Sequence, residues 1–189
     1  MVSHVFSVDW STLPAPTDDG AARHLPGKPL PHVALTSTDG DVVDLSRLSG
    51  RTVLYAFPRM HRPDQPITDG WFTIPGAPGC TPQSCAFRDH AKELAAAGAA
   101  HIFGLSTQDT ADQREGAKRL HLPFPLLSDH ERAFTNALSL PTFEAGGRVL
   151  LKRLTLIIRQ GVIEHVFYPV FPPDQNAEDV LNWLQQQRN

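Results

Sequence analysis

The sequence predicts a three-layer α/β sandwich around a mixed central sheet. Three observations carry this. Thr52-Val-Leu-Tyr-Ala-Phe is an unbroken apolar run of strand length, stopped by Pro58, as a strand buried on both faces should be. Strand-like and helix-like segments then alternate to about residue 138, which argues for crossover units. Finally, two apolar runs meet across Gln160-Gly161 before a last amphipathic segment, so the sheet gains antiparallel strands and a closing helix.

Along the chain, residues 1–28 are polar and broken by Pro14, Pro16 and Pro26, and read as an N-terminal arm. A hairpin follows, with Val33-Ala-Leu and Val42-Val-Asp-Leu flanking Asp39-Gly40. Residues 59–74 carry Pro63, Pro66 and Gly70 and show no periodicity. A helix is expected from Cys80 to about Ala97, stopped by Gly98. Ile102-Phe-Gly-Leu is a strand, Asp109 caps a helix through Leu120, Phe124-Pro-Leu-Leu is a short strand, and Glu131 to Leu138 a short helix. Leu150 to Ile158 reads as one strand, paired with Val162 to Phe167. Asn176 is the expected cap of a last helix ending near Gln187.

The bulk composition excludes more than it selects. The chain has 189 residues, suited to one domain from about residue 29 to 189, and is 41% hydrophobic and 20% charged. A net charge of -3 without a basic cluster argues against nucleic acid. Apolar runs are too short for a membrane helix, which needs about 20 residues. The first ten residues lack a basic start followed by an apolar stretch, so a cytoplasmic location is expected. Two cysteines are too few for a secreted disulfide scaffold, and a close pair in a reducing compartment suggests redox or metal chemistry.

Cys80 follows Pro78-Gly79 at the start of the expected helix. Helix N-termini present free N–H groups and partial positive charge, which favour the nucleophilic thiolate. Cys85 lies on the same helix. At about 100° per residue the two side chains diverge by roughly 140°. Their Cα atoms then lie beyond the roughly 7 Å that a disulfide spans. A bond between them would require the first helical turn to unwind, so the pair would act as a switch. Spacing alone fits a structural helix with one cysteine buried and one exposed equally well. A metal site is not expected: the spacing is not Cys-x-x-Cys, and His90, His101 and His121 are scattered.

Leu54-Tyr-Ala-Phe-Pro58 and Pro78-Gly-Cys80-Thr-Pro-Gln-Ser-Cys85-Ala-Phe-Arg88-Asp89 resemble peroxiredoxins of the bacterioferritin-comigratory, or Q, type in the AhpC/TSA superfamily. The likeness continues through Gly104-Leu-Ser, Phe124-Pro-Leu-Leu-Ser-Asp and Arg153-Leu-Thr-Leu-Ile-Ile-Arg-Gln-Gly-Val-Ile, covering about residues 29–187 in order. The resemblance implies a thioredoxin-like sandwich with an N-terminal hairpin. It also implies an atypical 2-Cys, thioredoxin-dependent peroxidase that needs no cofactor. Cys80 would attack hydrogen peroxide or organic hydroperoxides and become a sulfenic acid. Cys85 would condense with it to an intramolecular disulfide, which thioredoxin or a similar dithiol would reduce. Arg153 would lower the thiolate pKa and stabilise charge on the peroxide. From the residues alone, with Lys152 and Arg148 nearby, it reads equally as a surface charge on an amphipathic strand. Two same-chain cysteines suit a monomer or a homodimer.

Pro58 matches the family proline at the strand end, but about sixteen residues are inserted before the cysteine. Long unstructured stretches in compact domains are usually functional or disordered, so the 59–74 insertion is expected to border the site, with Trp71 and Phe72 shaping access or forming a dimer contact. Where the family has Thr or Ser three residues before the nucleophile, this chain has Ala77. Thr73 and Thr81 are the candidates to supply that hydroxyl. Two alternatives stay open: a thioredoxin-fold disulfide oxidoreductase or redox regulator with weak peroxidase activity, which the missing hydroxyl favours, and a non-enzymatic interaction protein docking through its proline-rich segments.

Overall fold

The computed structural model describes residues 8–187; residues 1–7 of the expected arm, and residues 188–189, lie outside them. The strands are β1 (Ala34–Ser37), β2 (Val42–Asp44), β3 (Arg51–Ala56), β4 (Ala99–Ser106), β5 (Leu126–Ser128), β6 (Thr142–Ala145), β7 (Arg148–Leu151), β8 (Leu154–Arg159) and β9 (Val162–Phe167). The helices are α1 (Cys80–Asp89), α2 (Ala91–Ala96), α3 (Thr110–Arg119), α4 (Ala133–Leu138) and α5 (Asn176–Gln186). Seven strands form one sheet in the order β2-β1-β5-β4-β3-β8-β9. β4 lies parallel to both β3 and β5, and β8 and β9 extend the other side antiparallel.

The sheet separates two cores. Val53, Tyr55 and Phe57 face one side, with Phe87 of α1, Leu94 of α2 and Val180, Leu181 and Leu184 of α5. Leu54 and Ala56 face the other, with Phe134 and Leu138 of α4, Leu25 of the arm and Leu30 just past it. This is why the β3 sequence carries no polar alternation: both of its faces are covered. Tyr55 stacks on Phe87 at 4.4 Å between centroids and donates its hydroxyl to Ser84 Oγ at 3.0 Å, seating α1 on β3. Gly104 makes room for that ring, since a Cβ there would stand 2.8 Å from Tyr55 Cζ.

Three sequence expectations need correction. The helix expected over 80–97 is two helices, turned at His90, whose ψ of 3° redirects the chain without glycine or proline. The turn lets Leu94 and Ala97 reach the core. The strand expected over 150–158 is two strands in different sheets. β7 pairs with β6, while β8 pairs with β3, and Lys152-Arg153 forms the break. The β6–β7 hairpin turns on Gly146 and Gly147, both at positive φ (56° and 69°), as a tight hairpin turn requires. Asn176 is not a cap: it is the first residue of α5, its side chain turned inward.

The described part of the arm lies on the domain. Trp10 Nε1 donates to Asp174 Oδ2 at 2.9 Å, and Asp19 accepts from Lys152 Nζ and from the Tyr168 hydroxyl, both at 2.8 Å. The hydrogen bonds from Lys152 and then Tyr168 hold the Asp19 carboxyl far below the usual carboxylate range. A depressed folded-state pKa means the contact is complete above the ordinary carboxylate pKa of about 3.9 and is lost only as pH falls through the lower folded value. Protease cleavage of the arm is therefore expected to be unchanged between about pH 5 and 8. Asp19→Asn should raise it throughout that range; equal resistance in Asp19→Asn, read by intact mass, would show that the carboxylate does not hold the arm.

Candidate active site

Cys80 is the first residue of α1 and is 4% exposed. Pro78-Gly79 delivers the chain to the helix, with Gly79 at φ 111° as its N-cap. The fixed turn leaves the first N–H groups of α1 unbonded within the helix around the sulfur. The thiol lies 3.8 Å from the Ala77 carbonyl oxygen.

Arg153 is 3% exposed, and its Nη2 lies 3.3 Å from Cys80 Sγ. The same nitrogen donates to the carbonyls of Ala77 at 3.0 Å, Pro78 at 3.2 Å and Gly76 at 3.3 Å. Nη1 donates to Gln83 Oε1 at 2.6 Å. The break after β7 is thus explained: the residue that leaves the strand turns its guanidinium onto the segment before the cysteine. Arg153 Nε is buried without a partner among the described residues. An unpaired buried donor costs about 1–3 kcal/mol, which fits a group placed for chemistry rather than for stability.

A polar chain extends inward from Arg153. Gln83 Nε2 donates to Asn176 Oδ1 at 3.0 Å, and the Thr155 hydroxyl donates to the same oxygen at 2.7 Å. Gln83, Thr155 and Asn176 are all buried. None was read from the sequence as a site residue, Asn176 being expected only as a helix cap, yet two carried a signal. Gln83 follows Cys80 by one helical turn and so shares its face. Thr155 is two residues from Arg153, the same-face spacing of a strand.

A cavity of about 130 Å³ adjoins the thiol, lined by Cys80, Thr81 and Pro82 of α1 with Gly79, Arg59, Met60, His61 and Trp71. Of the candidates for the hydroxyl, Thr81 lines this cavity. Thr73 does not: it is exposed and donates to the Gly70 carbonyl at 2.7 Å. Ala77 is fully buried. Pro58 is buried where β3 ends, immediately before Arg59 enters the cavity wall. Trp71 is 4% exposed and packs on Leu150 and Phe143 of the β6–β7 hairpin, whereas Phe72 is 54% exposed.

Cys85 is half-buried on α1, and both cysteines are free thiols. Burial pushes the Cys85 thiol up, so it is protonated at neutral pH. The two cysteines share one helix and stand about 7.5 Å apart along its axis, so a bond between them requires the first turn of α1 to open. Among the described residues, no group of three His, Cys, Asp or Glu is placed to hold a metal ion. Among them also, no helix is long and apolar enough to cross a membrane.

A family model described as Redoxin matches residues 25–181. Peroxiredoxin Q, chloroplastic, of Oryza sativa subsp. japonica is 30% identical over 159 residues, covering 84% of this chain and 66% of that protein. The chain therefore spans just under two thirds of the length of that curated relative. Among solved structures, the peroxidoxin BcpB of Mycobacterium tuberculosis superimposes with a TM-score of 0.69 at 27% identity, covering 87% of this chain and 99% of that one. A cysteine-to-serine variant of Xylella fastidiosa PrxQ gives 0.70 at 20% identity, covering 87% and 97%. The seven-stranded mixed sheet and these superpositions give the thioredoxin-like fold. The matched segment runs from the arm's last buried leucine to α5 and holds both cysteines and Arg153, and the chain belongs to the Redoxin family.

Proposed function

We propose that this chain is a thiol-dependent peroxidase that reduces hydrogen peroxide and organic hydroperoxides. One observation carries the reading: a buried guanidinium lies 3.3 Å from a cysteine sulfur at a helix N-terminus. Such a cation stands beside the attacking sulfur and faces the charge that develops on a peroxide oxygen. The Cys80 thiolate attacks one peroxide oxygen. The S–O bond forms, the O–O bond breaks, and the departing hydroxide or alkoxide takes a proton and leaves as water or alcohol. Cys80 is then a sulfenic acid. The Cys85 sulfur attacks the sulfenic sulfur, forming the disulfide and releasing water. Thioredoxin or a similar dithiol returns two electrons by exchange. We place the reaction in the cytoplasm, as a monomer or homodimer.

The test is intact mass and thiol count after about one equivalent of hydrogen peroxide, with the reaction balanced as one disulfide per peroxide. Wild type should lose both thiols and two hydrogens, Cys85→Ser should hold a sulfenic acid trappable by dimedone, and Cys80→Ser should not react. Oxidation no faster than that of a free cysteine would overturn the reading. It would favour a redox regulator on the same fold, to which the methyl group of buried Ala77 already points.

A further inference from the structure

The cavity beside Cys80 has a wall the peroxidase chemistry has not used. Residues 59–61 enter it from the insertion, and they are held firmly. The buried Gln108 side chain clamps Met60, accepting from its N–H at 2.8 Å and donating to its carbonyl at 3.0 Å. Arg59 Nη2 pairs with Asp112 at 3.3 Å, and Arg119 donates to the His61 carbonyl at 3.3 Å. The His61 ring meets Trp71 edge-on at 4.7 Å. Rigid support of this kind is what a functional group needs and what a passive loop does not.

The protonation of His61 follows from its contacts. The Thr68 backbone N–H donates to His61 Nε2 at 3.4 Å, so Nε2 carries the lone pair and the hydrogen is assigned to Nδ1. Nδ1 has no partner among the described residues. Burial, then the nearby charges of Arg59 and Arg148, hold His61 below the ordinary histidine range, leaving the ring neutral at pH 7. His61 lines the same cavity as Cys80, and a neutral imidazole has one N–H to donate.

Resting on the peroxidase reading, we propose that His61 donates its Nδ1–H to the departing peroxide oxygen while Arg153 holds the sulfur. The O–O electron pair moves onto that oxygen, which draws its proton from solvent. His61 stays neutral and returns unchanged. Thr81 and the Trp71 indole are the other neutral donor side chains on the wall, and the test separates His61 from both.

Two variants divide donor from packing. His61→Phe keeps a ring against Trp71 and removes the N–H. His61→Asn loses the ring and keeps an N–H near the Nδ1 position. Stopped-flow oxidation of reduced protein by hydrogen peroxide should be slowed roughly 10- to 100-fold in His61→Phe, the span of one hydrogen bond to a charged oxygen. His61→Asn should stay within about threefold of wild type, although it melts lower. Alkylation of Cys80 by iodoacetamide should be unchanged in both. A His61→Phe protein as fast as wild type would overturn the proposal and leave Thr81 or Trp71 sufficient. So would His61→Asn being as slow as His61→Phe. A wild type no faster than free cysteine would instead overturn the peroxidase reading, and this proposal with it.

Discussion

Arg153→Met should slow the reaction of Cys80 with hydrogen peroxide about 10²- to 10³-fold, the usual cost of removing one preorganised donor from developing charge. One Nη2 nitrogen serves the Cys80 sulfur and three successive carbonyls, so it fixes both the charge beside the thiolate and the backbone that aims it. Methionine fills a similar volume without the charge, but it leaves Gln83 Oε1 and the three carbonyls without their donor, so melting should fall as well. The rate is therefore read at a temperature where circular dichroism shows the variant folded. Arg153→Lys should recover only part of the loss. A compact ammonium on a flexible stem cannot reach Gln83 and the sulfur at once, as the planar fork does. Alkylation of Cys80 at neutral pH should slow in the same order. Arg153→Met reacting at the wild-type rate would mean that the guanidinium only braces the loop.

That arginine also shows where sequence reading succeeds and where it stops. The helix start at Cys80 is local: Pro78-Gly79 cannot continue a strand, and a helix pattern follows. β3 is equally legible, because burial on both faces leaves an apolar run bounded by proline. The break at Lys152-Arg153 is not. Leu150 to Ile158 is apolar on either side of it, and what ends the strand is a set of carbonyls more than seventy residues earlier. Asn176 fails for a related reason. A capping asparagine and one turned into a buried network occupy the same place before a helical pattern, and only the positions of Gln83 and Thr155 decide between them. The β6–β7 hairpin was missed as well, although Gly146-Gly147 is a turn signal. His61 carried no signal. Its position depends on Trp71, ten residues on in the insertion, and on Gln108 just past β4, which clamps its neighbour Met60.

Gly79→Ala should destabilise the fold by about 2–5 kcal/mol, by adding a strained left-handed alanine to an overpacked contact. Gly79 sits at φ 111°, and an added Cβ would lie 2.4 Å from Pro173 Cγ and 2.9 Å from Trp10 Cη2. For a domain of this size the melting temperature should fall roughly 5–15 °C. The background matters. In Trp10→Ala the cost should persist, because the proline contact is the closer one and the φ strain remains. A cost that disappears in Trp10→Ala would mean the arm alone opposes the methyl group, and an unchanged melting temperature in either background would refute the close approach. The consequence reaches the chemistry. Gly79 is the joint from which the first turn of α1 must open before Cys80 can meet Cys85, and Trp10 and Pro173 pack against it. Strain at this joint raises the energy of the closed helix relative to the open one. Gly79→Ala should therefore hasten disulfide formation relative to sulfenic acid formation, so that less peroxide-driven sulfinic acid accumulates. Mass spectrometry over a peroxide titration reads that ratio directly. More sulfinic acid than in wild type would place the opening elsewhere on α1.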